Sequence, residues 1–189
     1  MIYVTQTLRE QALVQAAARS ERSLANTSSL NIRTATREDF PEMLAIFRKV
    51  LAAGDTYVLD ADTPVSEAYA YWFGAGIDSW VAEANGRVVG MCRLTANQKG
   101  RGSHVASASI MVDPNVRRRA VGLALGRHLR VEARKAGFLA MQFNMVVSSN
   151  TASLALAEKL GFTIVGTLPR AFEHPQVGLV DAYVMHRLV

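Results

Sequence analysis

Two stretches of this 189-residue chain carry residue types that could do chemistry. The first is VDPNVRRRAVGLALG, Val112 to Gly126, where an apolar strand pattern runs into a proline, three consecutive arginines and an apolar helical pattern. Pro114 ends the strand and the helix starts near Val121. A helix N-terminus presents unpaired N–H groups and the positive end of its dipole. Gly122 in the first turn would let a ligand approach the backbone closely. Arg117, Arg118 and Arg119 add positive charge. Such a junction suits a phosphate or pyrophosphate. It has neither the Gly-Lys-Ser/Thr of a Walker loop nor the three glycines of a dinucleotide fingerprint. Charge alone does not separate this reading from an arginine-rich solvated turn.

The second stretch is FNMVVSSNTASLALAEKLGF, Phe143 to Phe162. A strand places Gln142 and Asn144 on one face, and a Ser-Asn helix cap and a helix ending at Gly161 follow. Neither amide can act as a base, but both can orient an amine, a carboxylate or a water. Asn144 reads equally as a satisfied buried amide. His104, at the mouth of the strand that precedes the arginines, could titrate near neutral pH or be an ordinary loop histidine. Tyr57 in GDTYVLD, Tyr183 in the last strand and His174 in a long loop could reach the same region. Trp80, Phe143 and Met145 read as core.

The elements that must position these groups are legible from periodicity. Leu8 to Leu24 reads as a helix with a poor apolar stripe, in an N-terminal extension of residues 1–29 ahead of a domain at 30–189. A short strand at Ile32–Thr34 leads into a helix capped by Thr36, with Asp39 at the capping-box position and apolar spacing through Met43, Ile46, Phe47 and Val50. Pro64 opens a second helix, through Glu67 to Phe73. Asn85-Gly86 between two β-rich runs is a hairpin signal. Val105–Val112 reads as a strand, Val121–Ala136 as a helix ended by Gly137, and Leu139–Val147 as a strand with Leu139, Met141, Phe143, Met145 and Val147 on one face. FTIVGTL is a strand, PRAFEHPQVG a loop and LVDAYVMHRLV a final strand. The order implies an α/β (α+β) fold with a mixed, mostly antiparallel sheet, whose strand–helix–strand unit from Val105 to Val147 is parallel.

Composition bounds the rest. The chain is half hydrophobic and one-fifth charged, which is a globular profile rather than a disordered one. Its formal net charge of +5 favours anionic ligands without choosing among them. No apolar run reaches the ~18 residues of a membrane span, and no secretory signal is evident. The single cysteine, Cys92, sits in the apolar run VVGMCRL, so it reads as a buried inert thiol in a reducing, cytoplasmic setting.

Both stretches together resemble the GNAT-type N-acetyltransferases. That superfamily carries V-x-P-x-x-[RQ]-x-x-G-x-[GA] after its fourth strand, matched here by Val112, Pro114, Arg117, Ala120 and Gly122. It carries N-x-x-[AS]-x-x-L-Y-E-K-L-G-F near its end, matched by Asn150, Ser153, Leu156, Ala157 and Glu158 to Phe162. The resemblance covers about residues 30 to 189. It implies helices on both faces of the sheet, a splayed parallel strand pair and acetyl-CoA as co-substrate. It implies that Ile110, Met111 and Val112 offer backbone groups to the pantetheine arm. Arg117, Arg118, Arg119, Ala120, Val121, Gly122, Leu123 and Ala124 would hold the pyrophosphate, with Asn150 and Ser153 beyond. The oxyanion donor would be an N–H near Met111 or Val112.

A narrower similarity, to the acetyltransferases of proline analogues, implies an active-region role for Asn144 and Asn150; Ser107, a further candidate on the fourth strand, departs from that group, which often has asparagine there. The sequence departs from the family at Ala120, usually glycine, and at Ala157, usually a tyrosine that protonates the leaving thiolate. The implied reaction is acetyl transfer to a small-molecule amine, with no metal, nucleic-acid or membrane partner. A homodimer is implied too, since many relatives are dimers. A non-catalytic acyl-CoA-binding module, a peptide N-terminal acetyltransferase and nucleic-acid binding by the arginine run stand as alternatives.

Overall fold

The computed structural model describes residues 30–116 and 120–189. The expected N-terminal helix and the arginines Arg117, Arg118 and Arg119 lie outside the described residues. Residues Asn31–Val189 form one compact unit. Among the described residues no helix is long and apolar enough to cross a membrane.

Seven strands form one sheet: β1 (Asn31–Thr34), β2 (Ile77–Ala84), β3 (Arg87–Ala96), β4 (Val105–Val112), β5 (Ala140–Val147), β6 (Thr163–His174) and β7 (Gly178–Leu188). Their spatial order is β1-β2-β3-β4-β5-β7-β6, and every neighbouring pair is antiparallel except β4–β5. The β2–β3 turn is the expected one: Asn85 and Gly86 both take positive φ, 54° and 70°, as a type I′ turn requires.

Helices α1 (Phe40–Ala52) and α2 (Val65–Phe73) cover one face. Their Met43, Ile46, Phe47 and Trp72 pack with Val81, Met91 and Met111, which lie side by side on β2, β3 and β4. Helix α3 (Ala120–Lys135) covers the opposite face. There a side chain at Gly90 would press on Val121 and Leu125, 3.0 and 3.1 Å away, so the glycine lets α3 lie close to β3. Helix α4 (Thr151–Lys159) packs on α3. Gly126 is its seat, for a methyl group there would run into Leu160.

Thr36 begins a short 3₁₀ turn into α1, and its N–H donates to Asp39 Oδ2 at 2.8 Å. Arg33 grips the same carboxylate with two nitrogens, at 2.7 and 2.8 Å. That guanidinium, with the Thr36 N–H, lowers the Asp39 carboxyl to about 2.

Three expectations need correction. PRAFEH is not loop but the second half of β6. The register slips between Leu168 and Phe172, and Arg170 sits at φ 53° with its N–H on the Asp181 carboxylate at 2.8 Å. This bulge absorbs Pro169 on an edge strand, where a missing N–H costs no ladder bond. Leu139 lies before β5 and is 64 % exposed, so it is not part of the inward row. Ala136 follows α3 and is exposed.

Candidate active site

The parallel pair is incomplete. β4 and β5 pair only at Val105–Ala140, Ala106–Met141 and Ser107–Gln142. Beyond Ser107 the strands part, and a cavity of about 670 Å³ occupies the split. Its walls come from β4 (Ser107 to Val112), β5 (Phe143 to Val147), the start of α4 (Asn150, Ala152, Ser153, Leu156, Ala157), the end of α1, the loop Asp55–Val58, and Tyr71 and Arg93.

The backbone of β4 changes role along its length. Asp113 N–H donates to Val89 C=O at 3.0 Å and Asn97 N–H to Val105 C=O at 2.8 Å. Both bonds belong to one unbroken antiparallel register with β3. Strand alternation therefore turns the N–H and C=O of Ser107, Ser109 and Met111 toward β3. Those of Ala108, Ile110 and Val112 face the gap that β5 has left. Tyr57 confirms this alternation, for its hydroxyl donates to the Ile110 C=O at 2.7 Å. Of the two expected oxyanion donors, Met111 has its N–H committed to β3 and its side chain in the core at 1 % exposure. Val112 has its N–H on the open side.

Ser107 and Asn144 do meet. Asn144 Nδ2 lies 3.4 Å from Ser107 Oγ and donates to Asn97 Oδ1 at 2.7 Å, while Gln142 Nε2 donates to Asn144 Oδ1 at 2.7 Å. Both ends of the Asn144 amide are thus held, across the last rung before the strands part. Asn97, from the β3–β4 connection, was not foreseen; nothing in its local pattern marks it. Phe143 and Met145, expected in the core, are only partly buried and line the cavity, with Phe143 stacked on Phe162 at 4.4 Å. The β5–β7 register slips between Phe143 and Val146, which ends the simple alternation of faces along β5.

Asn150 caps α4, its Oδ1 accepting the Ser153 N–H at 2.9 Å, and both residues line the cavity. Ala157 is 2 % exposed and lies in the same wall. Ala120, Val121, Gly122, Leu123 and Ala124 form the first turns of α3 and are not among the cavity walls. Val121 is core at 1 % exposure. Gly122 has a packing reason of its own, since a side chain there would meet Leu156 at 3.2 Å.

Of the other titratable candidates, Tyr57 reaches the cavity wall, while His104 and His174 are not among its lining residues. Burial pushes the Tyr57 hydroxyl far above its ordinary value, so it donates and does not accept protons. Burial does the same to the Cys92 thiol, on a strand with 0 % exposure. His104 is exposed, 3.1 Å from the Arg101 carbonyl, and His174 lies in β6, its Nδ1 accepting the Gln176 N–H at 3.2 Å. Among the described residues no group of three or more His, Cys, Asp or Glu is placed to hold a metal.

A cluster that the sequence reading missed lies deeper in the cavity wall. Arg93 stacks over the Tyr71 ring, 3.6 Å from its centroid, and donates to the Tyr71 carbonyl. The Tyr71 hydroxyl lies 2.7 Å from Ser109 Oγ. The available signal was a charge inside the run VVGMCRLT, where alternation sends every second side chain inward.

A mixed sheet whose one parallel pair splays over a cavity defines, with the two sequence stretches, the class of acetyl-CoA-dependent acyltransferases. Residues 43–162 match the model of the acetyltransferase (GNAT) family, and this chain belongs to that family. It is 33 % identical over 153 residues to an L-methionine sulfoximine/L-methionine sulfone acetyltransferase of Pseudomonas paraeruginosa, covering 75 % of this chain and 85 % of that protein. It is 32 % identical over 98 residues to an N-acetyltransferase of Schizosaccharomyces pombe, a match that covers 51 % of this chain and only 47 % of that longer relative. Among solved structures, a GCN5-related N-acetyltransferase from Kribbella flavida superposes with TM-score 0.81 at 40 % identity, over 85 % of this chain and 98 % of the other. An acetyltransferase from Salmonella typhimurium, solved with its cofactor acetyl-CoA, superposes with TM-score 0.69 at 25 % identity, over 85 % and 94 %.

Proposed function

We propose that this chain transfers the acetyl group of acetyl-CoA to the amine of a small molecule by direct attack on the thioester. The observation that carries the reading is the parting of β4 from β5 beside a mostly apolar cavity into which a few amides and hydroxyls, those of Asn144, Asn150, Ser107 and Ser109 among them, are set. The open edge at Ile110 and Val112 is suited to the amide-bearing pantetheine arm, as an added strand is suited to a sheet edge. The first turns of α3, from Ala120 to Ala124, with Arg117, Arg118 and Arg119 before them, take the pyrophosphate. Asn150 and Ser153 flank the thioester end.

The amine attacks as a free base. Its lone pair forms the C–N bond, the carbonyl becomes an oxyanion at the Val112 N–H, and the C–S bond then breaks to release the thiolate. One such donor is worth ~10²–10³ in rate. Asn144, held by Gln142 and Asn97, and Ser107 beside it orient the amine; none of them is a base. The proton lost by the amine passes to water and returns to the thiolate, since Ala157 supplies no acid. A cytoplasmic, reducing setting suits the lone thiol of Cys92.

The named substrates of the Pseudomonas relative are modified amino acids, small amines of the proposed kind. Dialysed protein given acetyl-CoA and a panel of amino acids, polyamines, aminoglycosides and peptides releases thiol with at least one small amine; silence across the panel overturns the reading. Ala157 favours one second reading, an acyl-CoA-binding module without transfer. That module would bind acetyl-CoA with no acceptor-dependent thiol release.

A further inference from the structure

Among the described residues Arg93 lacks the partner that a guanidinium in a cavity wall needs. Its one hydrogen bond to them goes to the Tyr71 carbonyl, and its buried Nε has no partner there. Among the described residues no carboxylate lies within ion-pair distance of it. Asp55, an acid in the same wall, is not paired with it, and the wall's other cation, Lys49, is spent on Asp113 at 2.9 Å. A partly buried charge without a counter-ion is costly, and a fork of N–H donors matches a carboxylate in both shape and charge. The fork is braced as well: its Cζ sits over the Tyr71 ring, 3.6 Å from the centroid, and the Tyr71 hydroxyl meets Ser109 at 2.7 Å. Arg93 stands opposite Ser109 in the β3–β4 register, next to Ile110, where the strand edge opens.

We propose that Arg93 binds the carboxylate of the acceptor, so that the chain acetylates free amino acids in preference to simple amines or peptide ends. The inference rests on the acetyl-transfer reading above. Anchoring the carboxylate beside Ser109 leaves the α-amine, one carbon away, directed at the open edge of β4. A peptide N-terminus has an amide in place of that carboxylate and leaves the guanidinium unpaired.

The test sets each of the twenty common L-amino acids and L-methionine sulfone beside its own carboxamide, with spermidine as a carboxylate-free amine, and follows thiol release. The acids are preferred, and for the best of them kcat/KM exceeds that of its amide by roughly 10- to 100-fold, the range of a charged hydrogen-bonded contact. In Arg93→Met the acid loses that advantage through KM while the amide is little changed, and Arg93→Lys restores part of it. Calorimetric binding of the best acid to the wild type and Arg93→Lys repeats the ranking without turnover. Amides or spermidine used as well as acids, or an Arg93→Met loss equal for acid and amide, overturns the inference and leaves acetyl transfer standing. No thiol release from any acceptor overturns acetyl transfer itself, and this inference with it.

Discussion

The two walls of the cleft are built from different material. The side proposed for the cofactor is mostly backbone: the open edge of β4 at Ile110 and Val112, with the start of α3 outside the cavity walls. The side proposed for the acceptor is side chains brought together from separate elements: Arg93 from β3, Tyr71 from α2, Asn144 from β5 and Tyr57 from a loop, with Asn97 from a connection holding Asn144. A backbone wall needs only a strand that loses its neighbour and a helix that begins in the right place. Such a wall tolerates many side chains, whereas the other wall is specified by each of them.

The sharpest way to break this contrast is to remove one backbone donor. Val112→Pro deletes an N–H that faces the gap and leaves the β3 ladder intact. It is expected to lower kcat ~10²–10³-fold in steady-state assays, with the far-UV spectrum unchanged. Met111→Pro, whose N–H belongs to the ladder, should instead lose the fold. An equal kinetic effect of alanine at Val112 would show that the side chain matters and the contrast is false.

On the acceptor wall, Asn144→Ala is expected to lower kcat about 10- to 100-fold by loosening the amine's approach. The dissociation constant of acetyl-CoA should not move, which equilibrium binding checks; a large change in it would place Asn144 on the cofactor side. Away from both walls, Gly126→Ala forces Leu160 to shift and should cost about 1–3 kcal/mol in denaturant unfolding. Its kcat/KM should stay near wild type.

The smallest effect concerns the Arg33–Asp39 pair, which joins β1 to the start of α1. The folded Asp39 carboxyl titrates at about 2, below its ordinary 3.8. The stabilisation is therefore complete above that ordinary value and drains away as pH falls through about 2. Arg33 is 37 % exposed, so water screens the pair and Asp39→Asn should cost only about 1 kcal/mol. Thermal melts from pH 6 downward should show the wild type's advantage shrinking below the ordinary carboxylate value and most of it lost by about pH 2. A gap that widens with acid would refute the pairing.

The order of elements was legible because each obeys a local rule. Asn85-Gly86 can both adopt the left-handed φ of a tight turn, and Val121, Leu125, Leu129 and Ala133 repeat at helical spacing to one buried stripe. Pro169 was misleading for a local reason too: it breaks a central strand, yet an edge strand with a bulge accepts it. Part of the cleft was legible too, through Val112, Pro114 and Asn150, which line it and sit within two short stretches.

What the sequence determined by itself, then, is whatever depends on neighbours along the chain: the turns, the amphipathic stripes, the helix that starts after Pro114 and the cap at Asn150. Tertiary structure alone decided where β5 leaves β4, which of Met111 and Val112 has its N–H free, and that Asn97, Asn144 and Ser107 share one corner. It also decided that Arg93 has Tyr71 beneath it and, among the described residues, no carboxylate within ion-pair distance. The reason is physical: strand divergence and counter-ion balance are properties of residues far apart in sequence, and no periodicity along the chain records a distance across a sheet.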